Sequence, residues 1–512
     1  MREWKAPGLE LGRYPPGMRA HRQAKLPGPS LKVKRMAMLR DQSSRAPRGV
    51  RGGNVGVQIA FWAILLLGAL ARLTLYGDPR LSIATLDTQS YVDSSRASLL
   101  STDVFSGRRL PTTNMVFKLV SGNSNCGQIT VSMPAVGKEG RRDILPCFES
   151  VALLQSILSI LGWLWLAFVL ARHLTTATMK LLAAGVIILF AFTPQIAEWD
   201  SILASESLTL SLFAISLGLL IEAAFAWRDA SRRPGRLVSA LCVVWFIFFV
   251  LWVFVRDANI LAIPVTLVLL APVFFSRRLG IRSVIGVLAI LLIVLFVFGW
   301  LGSRQSSRWQ PSIQDSLRSW IFPYPGRVQY MSQHFAMPDP ASAAFPFWFE
   351  HRAPTAYSTF LVSHPGFIVT TVMDNWLVFY HSYEQPYFPL AKTTTNFVLA
   401  QLGDVVHPGS AMIYLIDTLA LVAFWAGALR GRAHQNLVWA WMFTWLFLTA
   451  GITLLLSYFG DADGSMRHIF PSLEMFRLLA WLSVLIFADA HIGRPEQAPV
   501  QPTILASSDQ KK

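Results

Sequence analysis

Residues able to do acid–base or anion-binding chemistry recur in this chain at the edges of apolar runs. Leu86-Asp87-Thr88-Gln89-Ser90-Tyr91 begins about ten residues past the first apolar segment, where a chain has just left a bilayer. Glu206 opens a later apolar run, in Ser205-Glu206-Ser207-Leu208, Arg256 closes another, and Arg467-His468 heads the last. A carboxylate within hydrogen-bond reach of an attacking hydroxyl can take its proton. Guanidinium groups can hold an anion in fixed geometry. Asp87 is thus a candidate acid–base group at a membrane face. Plainer readings stand beside this one. Asp87 next to Thr88 suits a solvated turn or cap. Glu206 suits a helix N-terminus capped by Ser205. Arg256 suits a cation snorkelling to headgroups. Position alone leaves all of them open.

The elements that must position these residues are membrane spans. Of 512 residues, 53% are hydrophobic and 14% charged, with mean hydropathy +0.44. A soluble chain carries about a quarter charged residues. The 18 Trp and 34 Phe suit the aromatic belts of membrane spans. Apolar runs place ten spans, at about 57–76, 150–171, 179–195, 205–227, 237–255, 260–275, 283–302, 410–429, 436–458 and 469–488. With the N-terminus inside, the basic turns Arg172-His173…Lys180, Arg228…Arg236, Arg277…Arg282 and Arg430-Gly431-Arg432 all fall inside. The acidic turns Glu198-Trp199-Asp200 and Asp461-Ala462-Asp463 fall outside. That bias, rather than nucleic-acid binding, explains the net charge of +16. The expected protein is an all-α polytopic membrane protein with two long extracytoplasmic loops.

Residues 1–55 are basic, rich in Pro and Gly, and expected to be a disordered cytoplasmic tail. Residues 56–302 form a transmembrane core that includes the first outer loop, 77–148. A second outer loop, 303–407, carries one or two interfacial amphipathic helices over Thr355 to Tyr380, broken at His364-Pro365. Residues 408–490 hold the last spans and 491–512 a cytoplasmic tail. Cys126 and Cys147 share the first outer loop, where an oxidising compartment permits a disulfide; spacing leaves the pairing open. Cys242 lies within a span and suits packing.

Orientation puts Asp87, Asp200, Glu206, Arg256, Asp257, Arg467 and His468 at one face, the outer one. A transporter concentrates polar groups and broken helices near the midplane. This pattern belongs instead to a catalyst or binder at the outer leaflet. Glu474 and Arg477, three residues apart on one helix face, can pair with each other, and Asp417 lies within span 8.

The ordered motifs resemble the GT-C superfamily of integral-membrane glycosyltransferases, especially bacterial aminoarabinose transferases and protein O-mannosyltransferases. Asp87-Thr88-Gln89-Ser90-Tyr91 is similar to the family's acidic motif, and Arg108-Arg109-Leu110-Pro111 to its basic-then-Pro segment. Thr193-Pro194 with Ser201-Ile202-Leu203-Ala204-Ser205-Glu206-Ser207-Leu208 resembles its third and fourth span signature. Val255-Arg256-Asp257-Ala258-Asn259 with Pro264, and Asp463 with Arg467-His468 and Pro471, resemble later elements. The chain departs from the pattern at Thr88, where the family often has a second acid, at Asp257, where Pro is common, and at His468, where Tyr is usual.

The resemblance implies inverting transfer of a sugar from a polyprenyl phosphate to an acceptor lipid, glycan or protein, at the outer face of a bacterial cytoplasmic membrane. Asp87 would be the catalytic base. Arg256, Arg467 and His468 would bind the donor phosphate, with Tyr91, Asp200, Glu206, Arg108 and Arg109 supporting. The resemblance fixes no cofactor; it leaves a divalent metal open, though Thr88 stands where the family often has a second acid. The assignment requires Asp87 to face Arg256 and Arg467 across a cavity with room for a sugar. Two rivals are an O-antigen polymerase- or ligase-like enzyme, using Arg304, Arg308, Arg318, Arg327, His351 and Arg352 of the second loop, and a lipid or solute transporter.

Overall fold

Long apolar runs fold as helices in lipid because each backbone N–H and C=O must be satisfied within its own segment. The computed structural model describes residues 55–85, 87–98, 101–120, 129–135, 138–229, 235–275, 282–381, 383, 385–387, 394–430, 434–462 and 465–492. Both expected tails, apart from Val55, His491 and Ile492, lie outside the described residues, as do Leu86, Cys126 and Asp463.

Among the described residues, eight helices are long and apolar enough to cross a bilayer: α1 (Val55–Leu75), α4 (Glu149–His173), α6 (Ser205–Arg228), α7 (Gly235–Val253), α9 (Arg282–Gln305), α15 (Met412–Leu429), α16 (His434–Gly460) and α17 (Ser465–Ile492). The 21 residues of α1 reach about 30 Å, one hydrocarbon thickness. The chain is a multi-pass membrane protein. Two of the ten expected spans take another form. The third is α5 (Ala177–Phe192), followed at a 53° bend by Pro194–Ser201. Thr193 precedes a proline and is forced out of the helical region, which breaks the span there. The sixth is a short apolar helix, α8 (Ala262–Phe275). The last helix continues to Ile492, past the boundary expected at 490.

Helix α6 is central. Of its apolar span 89% is buried, against 11% for the peripheral α1. It packs on α4 and α7, and α16 and α17 close the other side. Ser207, Ser211, Ser216 and Gly218 keep its surface small, as close helix packing in lipid requires. At Gly162 of α4 a Cβ would lie 2.8 Å from the Ser211 carbonyl, so only glycine fits that crossing.

The first loop carries α2 (Thr88–Ser95), α3 (Pro111–Val120) and a two-stranded antiparallel hairpin, β1 (Ile129–Ala135) with β2 (Lys138–Ile144). That hairpin is the exception to the all-α expectation. Cys147 is disulfide-bonded and Cys242 is free. The second loop is helical: α10 (Trp309–Trp320), α11 (Pro325–Phe335), α12 (Phe345–Ser363), α13 (Pro365–Asp374) and α14 (Thr394–Val406). His364-Pro365 separates α12 from α13, as expected. None of these five is among the helices long and apolar enough to cross. Tyr357 Oη and Ser316 Oγ both donate to the Phe459 carbonyl, at 2.8 and 3.2 Å, tying this segment to the end of α16.

Candidate active site

Two short backbone stitches bring distant acids together. Ile83 N donates to the Ser201 carbonyl and Leu203 N to the Ile83 carbonyl, both at 2.8 Å. On its other side the same stretch pairs with the end of β2, Ala84 N donating to the Asp143 carbonyl at 2.7 Å. Thr88 Oγ1 adds a bond to the Leu203 carbonyl at 2.9 Å. Asp87 follows one edge of this stitch and Glu206 the other, so the two carboxylates arrive at the same place.

There Arg467, from the first turn of α17, joins them. Its Nη1 lies 2.7 Å from Asp87 Oδ2, and its Nε lies 2.7 Å from Glu206 Oε1, with Nη2 at 3.4 Å from Oε2. Arg109 Nη2 takes the other Asp87 oxygen at 2.8 Å, its Nε donates to Ser90 Oγ, and its guanidinium covers the Tyr91 ring at 4.2 Å. Arg256 Nη1 is 3.9 Å from Glu206 Oε1, and its Nη2 lies 3.0 Å from His468 Nδ1. His468 Nε2 is 3.3 Å from Asp461 Oδ2.

The plainer readings hold only in part: Glu206 does lie in the first turn of α6, and Asp87 does stand at the N-cap position of α2. Asp87 precedes α2, yet its side chain makes no capping bond. Ser205 is not the cap of α6 either; Ala204 holds that position. Arg256 is buried among protein groups, its side chain 11% exposed, rather than reaching outward.

Burial pushes the Asp87 carboxyl up, but the Arg109 and Arg467 guanidinium groups outweigh it and hold the carboxyl below its ordinary range. Beside the cluster, Tyr387 stands 5.6 Å from the Arg467 guanidinium. Burial, partly countered by Arg467, raises its phenol to about 12. Gln385 anchors that stretch by donating to Glu198 Oε2 at 2.7 Å.

A cavity of about 410 Å³ adjoins the cluster, lined by Tyr91, Arg108, Arg109, Arg256, Arg308 and His468 among others. Its size suits a small-molecule site. Arg308 Nε is 2.9 Å from Asp257 Oδ1, and its Nη1 donates to the Phe105 carbonyl at 2.8 Å. Arg256 and Arg308 each retain one buried guanidinium nitrogen without a hydrogen-bond partner among the described residues. At Gly302 a Cβ would lie 2.8 Å from that same Phe105 carbonyl, so glycine lets α9 close on the cavity wall.

Three expectations change. Asp87 touches Arg467 directly, so no sugar-sized gap separates them; the space lies beside the pair, bounded by Arg109 and Arg256. Asp200 is 1% exposed and pairs with Arg72 of α1 at 2.7 Å, with Ser207 Oγ donating to it at 2.6 Å; it serves the packing of α1 rather than the cluster. Glu474 pairs with Arg477 as expected, but also with His407 Nδ1 at 2.5 Å. Arg477 in turn donates to the Tyr380 and His381 carbonyls, both at 3.1 Å, pinning the second loop.

Arg72, Tyr387 and Ser312 were not singled out from sequence. Arg72 had a usable signal, a cation at the end of a span otherwise free of charge. Tyr387 and Ser312 had none. Among the described residues no three His, Cys, Asp or Glu side chains converge as metal ligands. Two guanidinium groups on Asp87 already supply positive charge, and the Thr88 hydroxyl donates to a carbonyl, so a cation at this acid is disfavoured by like-charge repulsion.

No family model and no curated protein matches the chain. Among solved structures, it is similar to the apo crystal structure of the oligosaccharyltransferase of Archaeoglobus fulgidus, at 13% identity and TM-score 0.42, covering 85% of this chain and 51% of that one. It is also similar to the archaeal oligosaccharyltransferase AglB from the same organism, in complex with an inhibitory peptide and a dolichol-phosphate, at 14% identity and TM-score 0.40, again covering 85% and 51%. The chain thus spans about half the length of these structures. At such loose superposition the functional reading rests on the side chains of this chain.

Proposed function

We propose that the protein is a GT-C-type inverting glycosyltransferase that moves a sugar from a polyprenyl-phosphate donor to an acceptor at the outer face of a bacterial cytoplasmic membrane. The observation that carries this reading is the Asp87–Arg467–Glu206 cluster beside a cavity lined by four arginines. Four arginines against the carboxylates of Asp257 and Asp461 leave the wall net cationic, which suits an anionic ligand. Its wall includes Phe296, Gly299 and Trp300 of the spanning helix α9, apolar surface suited to a lipid tail.

In the proposed reaction the acceptor oxygen bonds to the anomeric carbon as the bond from that carbon to the phosphate oxygen breaks. The acceptor proton passes to Asp87, and the polyprenyl phosphate leaves as an anion held by Arg256. Two of the four lone-pair positions of the Asp87 carboxylate are occupied by arginine, which leaves two for the acceptor hydroxyl. Asp87 is a weak base because of those arginines. That suits an oxocarbenium-like displacement, in which the hydroxyl becomes acidic only as the new bond forms. Phosphate is a good leaving group and needs no general acid. Glu206 holds Arg467 and supplies the counter-charge.

The ligase-like alternative loses ground to geometry. Of its six second-loop residues only Arg308 lines the cavity. Arg327 packs on Tyr324 and Phe367, and Arg318 is a solvated partner of Asp315. The test is to reconstitute the full chain in liposomes with a polyprenyl-phosphate sugar labelled in the sugar, and to follow the label. Covalent transfer to an acceptor is expected. Counterflow of intact donor with no covalent product would overturn the proposal.

A further inference from the structure

His468 is flanked by a donor on one side and an acceptor on the other. A guanidinium has N–H groups and no acceptor. Arg256 Nη2 lies 3.0 Å from His468 Nδ1, so Nδ1 must present its lone pair. The remaining ring nitrogen, Nε2, lies 3.3 Å from Asp461 Oδ2, an acceptor when ionised. Nε2 therefore carries the proton. The same Asp461 oxygen accepts from Ser312 Oγ of α10 at 3.0 Å. A line of contacts thus runs from the second loop through Ser312, Asp461 and His468 to Arg256.

That line matters because Arg256 is otherwise loosely held. Among the described residues the one close polar contact of its side chain is His468; Glu206 stands at 3.9 Å, and Nη1 has no hydrogen-bond partner. Without His468, the guanidinium would fold onto Glu206 and compete there with Arg467. An imidazolium at this position would repel it.

We infer that His468 is a neutral positioning residue, in the Nε2–H tautomer, that aims Arg256 at the cavity and links that aim through Asp461 to α10. It is not itself a phosphate ligand. This inference rests on the reading of Arg256 as the group that binds the donor phosphate. It replaces the direct phosphate contact that sequence resemblance assigned to His468.

Two readouts test it. The first is the ring nitrogen spectrum of ¹⁵N-histidine-labelled full chain in lipid nanodiscs, with the His468 signals assigned by their loss in His468→Gln. A protonated Nε2 and bare Nδ1 are expected; a protonated Nδ1 or an imidazolium overturns the inference. This readout does not depend on the transferase proposal. The second is calorimetric binding of a short-chain polyprenyl phosphate. Loss of a hydrogen bond to a charged group predicts about tenfold or weaker binding in His468→Phe. The amide of His468→Gln can accept from Arg256 and donate to Asp461, so it recovers most of that loss. Ser312→Ala weakens binding in the same direction by a smaller factor. Rescue by His468→Lys and not by His468→Gln would show direct phosphate contact and overturn the inference. If the tautomer is as expected but the wild-type chain binds no polyprenyl phosphate, the functional proposal fails rather than the tautomer.

Discussion

Arg467 is shared by two carboxylates, and the structure makes opposite predictions for removing each. Glu206 is 1% exposed at its side chain and is the counter-charge for Arg467 and, more loosely, for Arg256. Glu206→Gln keeps the shape but strands buried guanidinium charge, which costs about 3–5 kcal/mol. Asp87 is 34% exposed at its side chain, and solvent screens its two pairs, at 2.8 and 2.7 Å, to about 1 kcal/mol or less each. In Asp87→Asn, Arg467 still has Glu206. Its stability cost is therefore small, while loss of a positioned base lowers transfer by about 10²–10⁴-fold. The pair is measured by thermal melting of each variant in detergent micelles and by transfer of labelled sugar from a polyprenyl phosphate. Asp87→Asn should melt near wild type and be inactive; Glu206→Gln should melt far lower. Transfer within tenfold of wild type in Asp87→Asn refutes the base assignment. Equal melting losses in the two variants refute the argument from burial.

Other outcomes follow from the same geometry. Because the Asp87 pKa is depressed by its arginines, its stabilising contribution is complete above the ordinary carboxylate value of about 3.9 and is lost only as pH falls through the lower folded value. Arg109→Gln should move the acid limb of the transfer rate to higher pH, and an unmoved limb would detach Asp87 from it. Arg256→Ala should raise the donor KM by about tenfold or more and leave the acceptor KM nearly unchanged; the reverse pattern would point to headgroup anchoring. Arg72→Leu leaves Asp200 buried without its partner and should cost about 3–5 kcal/mol in melting experiments, with most of it recovered in Arg72→Leu/Asp200→Leu. Gly162→Ala drives a methyl against the Ser211 carbonyl and should cost about 1–3 kcal/mol, read as a lower melting midpoint.

The spans were legible because lipid makes them a local problem. Twenty apolar residues in a row identify a helix with no knowledge of its neighbours, and eight of the ten expected spans are single long helices. The bend at Thr193-Pro194 was visible as a proline but not as a break, since a proline can be tolerated in a span when neighbours satisfy the freed backbone. The short hairpin of the first loop was missed because such a pairing has little signal beside strong apolar runs.

The site divides in the same way. Sequence alone determined which acids and cations sit at span ends, because charge is excluded from the apolar interior and the exceptions stand out. Only the tertiary structure decided which of them meet. Asp87 and Arg467 are 380 residues apart in sequence, and Asp200, another carboxylate close to Glu206 in the chain, turns instead to Arg72. The choice was made by the backbone stitch of Ile83 to Ser201 and Leu203 and by the break after Phe192. These are contacts between remote segments, and their energies depend on a geometry that no single stretch of residues encodes.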